Sequence, residues 1–415
     1  MSLKVLFFIL LMWQGVIQHY TGFSYIDEIL EAVLVVYIIL NYNYIRIGFS
    51  KYERRAFACI VVYFISGLCS TLINNYQGSI SYGVLSGLLS LKSFVTFFGV
   101  LIIFRKHALK KTEIKSILKL TEMSLVLSSV LLFFDLHFGF FKQGQKRFGV
   151  YSTSFIFGNV AELGTYATIS LLLCIFIRGY LHKNGFILFP YIASMVCALR
   201  SGRVRSVAFI SMLVFIGLLL PFMKKFKIAR ILWGFPVLMV IAWERITAYL
   251  ASITISVRTI LYIYGFRIAL DHFPFGAGFA SFGTEFSRRR YSIVYDLYGL
   301  SDTYGMSRGY DAFITDTTWA AMLGETGFIG IISLVVFLIC LLSMIRFFVR
   351  EKKCYFAACA AIIIIVLDGI VDSIIYSSRG VCFLSIIALF IDLKAGESNS
   401  RANEVRLRLN PYIVR

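Results

Sequence analysis

The sequence carries little charge and lacks the short motifs that commonly hold metals. Only 15% of its 415 residues are charged and 59% are hydrophobic, whereas a soluble domain is about half apolar and about a quarter charged. None of the eight cysteines stands in a Cys-x-x-Cys or Cys/His spacing, so we expect neither a metal site nor a disulfide framework. A repeat with a period of about 20–50 residues is also absent. The composition therefore excludes an ordinary soluble protein.

Long apolar runs recur along the whole chain and indicate membrane-spanning helices. A span needs roughly 20 mostly apolar residues, and about twelve segments qualify. They are 3–19, 27–43, 56–75, 82–104, 116–137, 158–178, 186–199, 204–223, 229–249, 317–347, 356–375 and 378–393. No small-residue cleavage site follows the first run, which therefore indicates a span rather than a signal peptide. The chain is predicted to be one all-α polytopic membrane protein.

Lysine and arginine mark every second predicted loop. The basic segments are 43–55, 105–115, 178–185, 224–230, 346–353 and the tail from 394. The positive-inside rule predicts that these loops and both termini are cytoplasmic. Loops 20–26 and 76–81 contain neither residue type and fit the outer side. Basic cytoplasmic loops account for the net charge of +19, so we expect no nucleic-acid partner.

Three predicted outer segments carry arginine in spite of this rule. They are 138–157, the stretch RSGRVRS at 200–206, and 250–316. A guanidinium is a planar, permanent charge suited to bidentate contact with phosphate. We therefore predict an anion-binding outer face, the alternative being that these arginines reach lipid headgroups. Arg200 and Arg203 are expected to share a helix face, whereas Arg205 is expected to be merely interfacial.

The segment 250–316 is too long for a simple connection and is predicted to be folded. Loops beyond about 15 residues are usually functional or disordered, and this one is rich in aromatic residues and glycine. Its stretch SVRTILYIYGFRIALDH has helical spacing and predicts a helix along the outer surface, from which Arg258 and Arg267 project. In the turn FPFGAGFASFG, Gly276 and Gly278 are expected to let backbone N–H groups approach a ligand.

Acids and tyrosines follow this turn. The stretch SRRRYSIVYDLYGLSDTYGMSRGYDAFITD interleaves tyrosine, arginine and aspartate, which suits sugar rings, and Arg289 is a candidate glycan contact. The chain then enters the tenth predicted span as DTTWAAMLGETGFIG. Asp316 is suited to cap that helix. Glu325 lies roughly 13 Å further along, and an acid inside a span is usually functional or paired.

In this order the motifs resemble the superfamily of bacterial O-antigen polymerases and O-antigen ligases. The similar stretches are VRTILYIYGFRIALDHFPFGAGFASF, followed by DTTWAAMLGETGFIG. RFGVYSTSFIFGNVAELG resembles the family's R-x-x-G…N segment and points to Arg147, Gly149 and Asn159. LRSGRVRSVAF resembles its S-x-R-G region. The resemblance covers about a third of the chain, and it rests on the combination of motifs rather than on any single one.

The resemblance implies glycan transfer by a GT-C-like glycosyltransferase at the outer face of the bacterial plasma (inner) membrane. Donor and acceptor would be glycans linked to undecaprenyl pyrophosphate, with no cofactor and no metal. Ligases usually have His ahead of E-x-G-x-x-G, where this sequence has Asp316, so the departure favours a polymerase of O-antigen, capsule or exopolysaccharide repeats. A chain-length regulator and a flippase are further implied partners, besides membrane lipid.

These expectations assign roles to individual residues. Asp316 is the first candidate for general base and His272 its competitor, while Glu325 is expected to order Asp316 or an arginine. Arginines are expected to stabilise the leaving pyrophosphate: Arg147, Arg200, Arg203, Arg258 and Arg267. Glycan contacts are expected at Asn159, Gly276, Gly278 and Arg289.

The predicted organisation has four parts. Residues 1–249 form spans one to nine, 250–316 the large folded extracytoplasmic loop, 317–393 spans ten to twelve, and 394–415 a basic cytoplasmic tail. The alternatives are a ligase-type transfer to another acceptor, and a flippase or transporter of lipid-linked glycans. A flippase should carry many charges within its spans, and a secondary transporter paired broken helices. We take Lys92, Glu162, Asp368 and Asp372 as the charges within spans that bear on this choice, and we expect a flippase to carry more of them.

Overall fold

The computed structural model describes residues 3–22, 25–141, 143–147, 149–182, 188–219 and 256–409. Helix accounts for 77% of the structure, which confirms the all-α class. The helices are α1 (Leu3–Met12), α2 (Gln14–Thr21), α3 (Ile26–Leu40), α4 (Tyr42–Gly48), α5 (Lys51–Asn74), α6 (Ile80–Ser90), α7 (Lys92–Lys106), α8 (Lys111–Phe138), α9 (Val160–Tyr180), α10 (Leu188–Ser201), α11 (Val204–Leu219), α12 (Val257–Asp271), α13 (Glu285–Arg289), α14 (Ile293–Leu297), α15 (Thr318–Phe348), α16 (Lys352–Val371) and α17 (Ser378–Leu409). A small antiparallel hairpin, β1 (Gln143–Arg147) and β2 (Val150–Thr153), joins α8 to α9.

Several of these helices have the length and composition of membrane spans. Among the described residues, α5, α8, α9, α15 and α16 are long and apolar enough, and α6 with α7 makes a sixth if the pair, bent by 45°, is one span. The first predicted span is divided at Trp13, and α10 and α11 are shorter apolar helices. The predicted span 229–249 lies outside the described residues. The protein is a mostly helical membrane protein, and the count of about twelve spans remains a prediction.

The boundaries of α5 follow from its end residues. Ser50 and Glu53 form a capping box: the Ser50 N–H donates to Glu53 Oε2 at 2.7 Å, and the Glu53 N–H donates to Ser50 Oγ at 3.4 Å. This exchange satisfies two backbone donors that the first turn would leave without partners. At the other end Asn75 adopts the left-handed conformation, with φ 40°, which asparagine tolerates better than most residues. The sequence thus delimits this span locally.

The long helices pack lengthwise around a shared apolar core. α15 lies against α5, α17 against α7, and α9 contacts α10, α16 and α17. At the last of these interfaces the rings of Phe176 and Phe390 stack with centroids 3.9 Å apart. α9 is buried along most of its length, which places it at the centre of the bundle.

Ion pairs lie at two opposite ends of the helix bundle. Arg105 forms a two-pronged ion pair with Glu53, and its Nε lies 3.8 Å from Asp392. Its guanidinium also lies over the ring of Phe348 at 5.7 Å, just before α16 begins. The far end of α16, of 20 residues, is roughly 30 Å away. There the chain segments 200–205, 256–258, 316–318 and 372–379 meet, and we name this region the arginine end.

The segment between α12 and α15 has a small core of its own. Leu261 and Ile268 of α12 are buried together with Phe282 and Tyr295. α12 packs on α15, and its Arg258 and Arg267 side chains are 38% and 65% exposed. The segment is therefore folded, as its aromatic content predicts.

Candidate functional site

Three arginines and two aspartates meet at the arginine end, and we name them the Arg–Asp cluster. Asp372 accepts hydrogen bonds from Arg379, through Nη2 at 2.7 Å and Nη1 at 2.9 Å. Arg203 Nη1 lies 3.1 Å from Asp372 Oδ2, and Arg205 Nη2 contacts the same oxygen. Arg205 Nη1 also lies 2.7 Å from Asp368 Oδ1. Among the described residues, three arginines thus share two aspartates in direct contact, and Glu162 also acts electrostatically on Arg379.

Helix ends bring this cluster together. Asp372 directly follows α16, and Arg379 lies in the first turn of α17. Gly202, with φ 62°, separates α10 from α11, and a Cβ there would meet Ser152 Cβ at 2.5 Å. Only glycine adopts this conformation at so close an approach. Arg203 follows at once and therefore lies at the turn between the two helices.

A second ion pair borders the cluster. Arg258 Nη2 lies 2.9 Å from Asp316 Oδ2. The Thr318 hydroxyl donates to the carbonyl oxygen of Asp372 at 2.7 Å, which ties the start of α15 to the cluster. Thr317, rather than Asp316, is the N-cap residue of α15, so the expected capping role of Asp316 is wrong. Its side chain turns to Arg258 instead.

The two partly buried aspartates Asp316 and Asp372 have opposite pKa shifts. Burial acts to raise the pKa of Asp372, but hydrogen bonds and charges from Arg379 and Arg205 outweigh it and hold that pKa well below its usual range. Burial raises the pKa of Asp316, and the nearby charge of Asp372 adds to this, against the lowering effect of Arg258. Asp372 therefore stays ionised at neutral pH, whereas Asp316 binds a proton more readily than an ordinary aspartate.

The arginines of RSGRVRS do not share one role. Arg200 is only 2% exposed and forms an ion pair with buried Asp135. Its Nη1 donates to the carbonyl oxygen of Tyr151 at 2.5 Å. Its expected phosphate contact is therefore corrected to a structural ion pair between α10, α8 and the hairpin. Arg205, expected at the lipid interface, belongs to the Arg–Asp cluster, because Arg203 and Arg205 both extend toward Asp372.

Arg147 and Asn159 also have partners within the protein. Arg147 Nη1 donates to the carbonyl oxygen of Gly202 at 3.2 Å, and its Nη2 donates to Gln145 at 2.7 Å. Arg147 thus supports the turn that carries Arg203. Asn159 is the N-cap of α9, where its side-chain oxygen accepts the Ala161 N–H at 2.9 Å. Asn159 begins a helix in this structure, and its expected glycan contact remains a prediction.

The glycine turn after α12 contacts the protein itself. A Cβ on Gly276 would meet the Gly327 nitrogen at 2.5 Å, and one on Gly278 would meet Thr71 Cα at 2.8 Å. The N–H groups of Ala277 and Gly278 donate to carbonyl oxygens of α15 at 2.8 and 2.9 Å. The expected ligand-facing N–H groups are therefore engaged elsewhere. The turn packs between α5 and α15, and we name it the glycine wedge.

Glu325 binds the residues that follow the glycine wedge. It is fully buried, and its Oε1 accepts the Thr284 hydroxyl at 2.7 Å and the Phe282 N–H at 3.4 Å. Among the described residues, Asp316 pairs with Arg258 rather than with Glu325. The expectation that Glu325 orders Asp316 or an arginine is thus not met. Glu325 holds the chain that returns from the glycine turn.

His272 lies at the opposite end of α12 from Arg258. The separation of 14 residues corresponds to roughly 21 Å, so His272 and Asp316 do not face one site. His272 Nδ1 is 3.0 Å from the Ile268 carbonyl oxygen, and Nε2 is 2.6 Å from the Tyr76 hydroxyl. The contact with a carbonyl oxygen requires an N–H at Nδ1, and the Tyr76 hydroxyl occupies Nε2. This arrangement leaves His272 no accepting nitrogen for a substrate proton.

Two further predicted arginines lie away from the cluster. Arg267 is on the far face of α12, where its Nε lies 4.0 Å from Asp271 and its guanidinium lies over the Tyr298 ring at 5.8 Å. Arg289 pairs with Glu285 at 3.0 Å and is 60% exposed. The structure therefore unites Arg203, Arg258 and Asp316 from the predicted set.

Sequence reasoning missed the residues that complete the cluster. Asp368 and Asp372 stand out as charges near a predicted span, and Arg379 opens the last one. Asp368 and Asp372 are four residues apart, and Arg379 follows Asp372 by seven. This spacing was a usable signal, because charged residues at the end of a span usually pair with one another. Their common partner, Arg205, is more than 160 residues away, and no local pattern reveals that contact.

No model of a known protein family matches the chain, and no curated protein matches it.

Proposed function

We propose that this protein polymerises oligosaccharide repeat units linked to undecaprenyl pyrophosphate, at the outer face of a bacterial plasma membrane. The observation that carries the proposal is the Arg–Asp cluster beside the Arg258–Asp316 pair. Four arginines and three aspartates lie together at one end of an apolar bundle. This combination offers both a cationic phosphate site and a carboxylate base, which glycosyl transfer from a lipid pyrophosphate requires.

The arginines would bind the pyrophosphate of the donor. Arg203 is 25% exposed and contacts Asp372 through Nη1, while a guanidinium has five N–H donors. Further N–H groups thus remain to donate hydrogen bonds to phosphate oxygens. Prepositioned cations lower the barrier because negative charge grows on the pyrophosphate as it departs. Asp372 holds the three guanidinium groups in place before substrate arrives.

Asp316 would act as general base. Its carboxylate takes the proton of the acceptor hydroxyl, the hydroxyl oxygen forms a bond to the anomeric carbon, and the bond from that carbon to the pyrophosphate oxygen breaks. Undecaprenyl pyrophosphate leaves with the electron pair, and the proton remains on Asp316. Burial has raised the pKa of Asp316, which brings it closer to the pH at which a base is most effective. No step requires a metal or cofactor.

The topology proposed with this activity has about twelve spans, with the cytoplasm on the side of both termini and the segment 250–316 outside. This topology is supported by the position of Arg105, which begins a basic loop at the end of the bundle opposite the arginine end. In a variant without native cysteines, Tyr304→Cys should react with an impermeant maleimide in intact cells. Lys111→Cys should react only after permeabilisation. The reverse labelling pattern would contradict the proposed orientation.

The activity is tested with purified protein and lipid-linked repeat units extracted from a strain that lacks it. Asp316→Asn is expected to slow polymer formation by roughly 10²- to 10⁴-fold, the usual contribution of a general base. The matched control is Arg308→Ala, which removes an exposed arginine from the same segment. Transfer to a different acceptor without chain growth would indicate a ligase instead. Full-rate polymerisation by Asp316→Asn would overturn the assignment of the base.

In cells, deletion of the gene separates polymerase from flippase. Loss of a polymerase should leave single repeat units on the outer side in place of long chains. Loss of a flippase should trap lipid-linked units on the cytoplasmic side. Accumulation inside would therefore contradict the proposed function.

A further inference from the structure

A second polar cleft lies at the far end of α12, away from the Arg–Asp cluster. Tyr76, Arg267, Asp271, Leu297 and Tyr298 line a cavity of about 370 Å³. This volume falls within the range of about 300–1,000 Å³ that is typical of small-molecule sites. The lining comes from the turn after α5, from α12 and from α14. Three separate chain segments therefore build this cleft.

The chemistry of the cleft differs from that of the cluster. The Tyr298 hydroxyl donates to Asp271 Oδ2 at 2.8 Å, and Arg267 Nε lies 4.0 Å from the same oxygen. Burial and the Asp271 carboxylate raise the pKa of Tyr298, so its phenol stays neutral. One cation pairs with one anion here, whereas in the described part of the cluster three arginines contact two aspartates. The cleft is therefore not built for a phosphate.

Its groups match a neutral sugar ring. A carboxylate accepts hydrogen bonds from hydroxyl groups, and a guanidinium donates them. Leu297 is 60% exposed and provides an apolar surface. Tyr76 and Tyr298 add aromatic side chains to the lining, which suit the polarised C–H groups of a sugar. Tyr76 is held in place by its hydrogen bond to His272, at 2.6 Å, so His272 acts as a positioning residue for this cleft.

We infer that this cleft binds a sugar of the glycan remote from the reacting end, and so selects the repeat unit. The inference rests on the proposed polymerase function. Arg258 and Asp271 are 13 residues apart on α12, which corresponds to roughly 20 Å. One monosaccharide does not reach from the reacting groups to the cleft, but an oligosaccharide does. The surface of α12 would then carry the glycan between the two sites.

The experiment compares Tyr298→Ala and Asp271→Asn with the control Tyr304→Ala, whose ring is 74% exposed outside the cleft. With lipid-linked repeat units as substrate, both cleft variants should raise KM about tenfold with kcat nearly unchanged, because charged hydrogen bonds of this kind are lost. Tyr298→Phe keeps the ring and should show a smaller rise. With lipid-linked units trimmed of their distal sugars, wild type and cleft variants should have equal KM.

The outcomes separate the two proposals. If wild-type protein does not extend lipid-linked units at all, the proposed function fails and the inference fails with it. If wild type polymerises and the cleft variants match it in KM, the inference alone is overturned. A fall in kcat at constant KM, or an equal KM penalty on the trimmed substrate, would also overturn it, since either result indicates a structural role for the cleft.

Discussion

Arg200 and Arg203 stand three residues apart, yet the fold gives them different environments. Arg200 is 2% exposed and pairs with Asp135, which is fully buried. Arg203 is 25% exposed and shares Asp372 with two other arginines. The first pair has matched charges, whereas in the second group three arginines contact two aspartates among the described residues. Both charges of the buried pair are committed to each other and must be kept or removed together. A partly exposed arginine that shares its carboxylate remains available to an anion.

The positive charge of a segment thus does not by itself identify a binding site. What decides is whether a carboxylate neutralises each arginine and whether solvent reaches it. Location adds to this criterion: Arg258 pairs with Asp316 beside the cluster, whereas Arg289 pairs with Glu285 within one short helix away from it.

The largest expected effect concerns the buried pair. Arg200→Ala leaves the Asp135 carboxylate buried without its cation, which typically costs about 3–5 kcal/mol. We expect a large drop in folded protein, measured by thermal unfolding in detergent. The double variant Arg200→Met with Asp135→Leu should recover much of this loss. If the single variant keeps its stability but loses activity, the contrast with Arg203 disappears.

At Arg203 the expected loss is catalytic. Arg203→Ala should keep its unfolding temperature close to wild type and slow polymerisation by about 10²- to 10³-fold, the usual cost of removing one transition-state donor. Arg203→Lys should recover part of the rate, because charge remains while the planar fork is lost. If Arg203→Ala makes full-length polymer at the normal rate, Arg203 has a structural role like that of Arg200, and the contrast between them is lost.

The pH profile sharpens the comparison at Asp316. As a base it works when deprotonated, so the rate should fall about tenfold per pH unit below its pKa. Arg258 lowers that pKa, and Arg258→Gln should therefore shift the acid limb of the profile to higher pH. The measurement is the rate of polymerisation against pH for both proteins. An unchanged midpoint would contradict the coupling between Arg258 and Asp316.

The smallest effect is expected at Arg289. It pairs with Glu285 within one short helix and is 60% exposed, and such pairs contribute within about 0.5 kcal/mol. Arg289→Ala should leave unfolding temperature and polymer length near wild type. A marked shortening of the polymer would show that Arg289 contacts glycan, as its sequence context predicts.

The folded segment 256–317 shows where sequence reasoning stops. Its helix and its glycine turn are predictable from local pattern, because helical spacing and the conformations of glycine are local properties. The packing of that turn between α5 and α15 is not predictable from local pattern, because the residues that contact Gly276 and Gly278 are about 50 to 200 positions away in the sequence. Sequence proximity also made His272 a competitor of Asp316, but α12 holds the two apart.

The sequence by itself determined that this is an all-α membrane protein, because apolar length and composition are sufficient to require helices in a bilayer. It also determined where arginine departs from the charge pattern of the loops. The tertiary structure alone decided which arginines lie together. A charge near a span must find its counter-charge, and here Arg203 and Arg205 find it in Asp368 and Asp372, on a helix that only folding brings beside them.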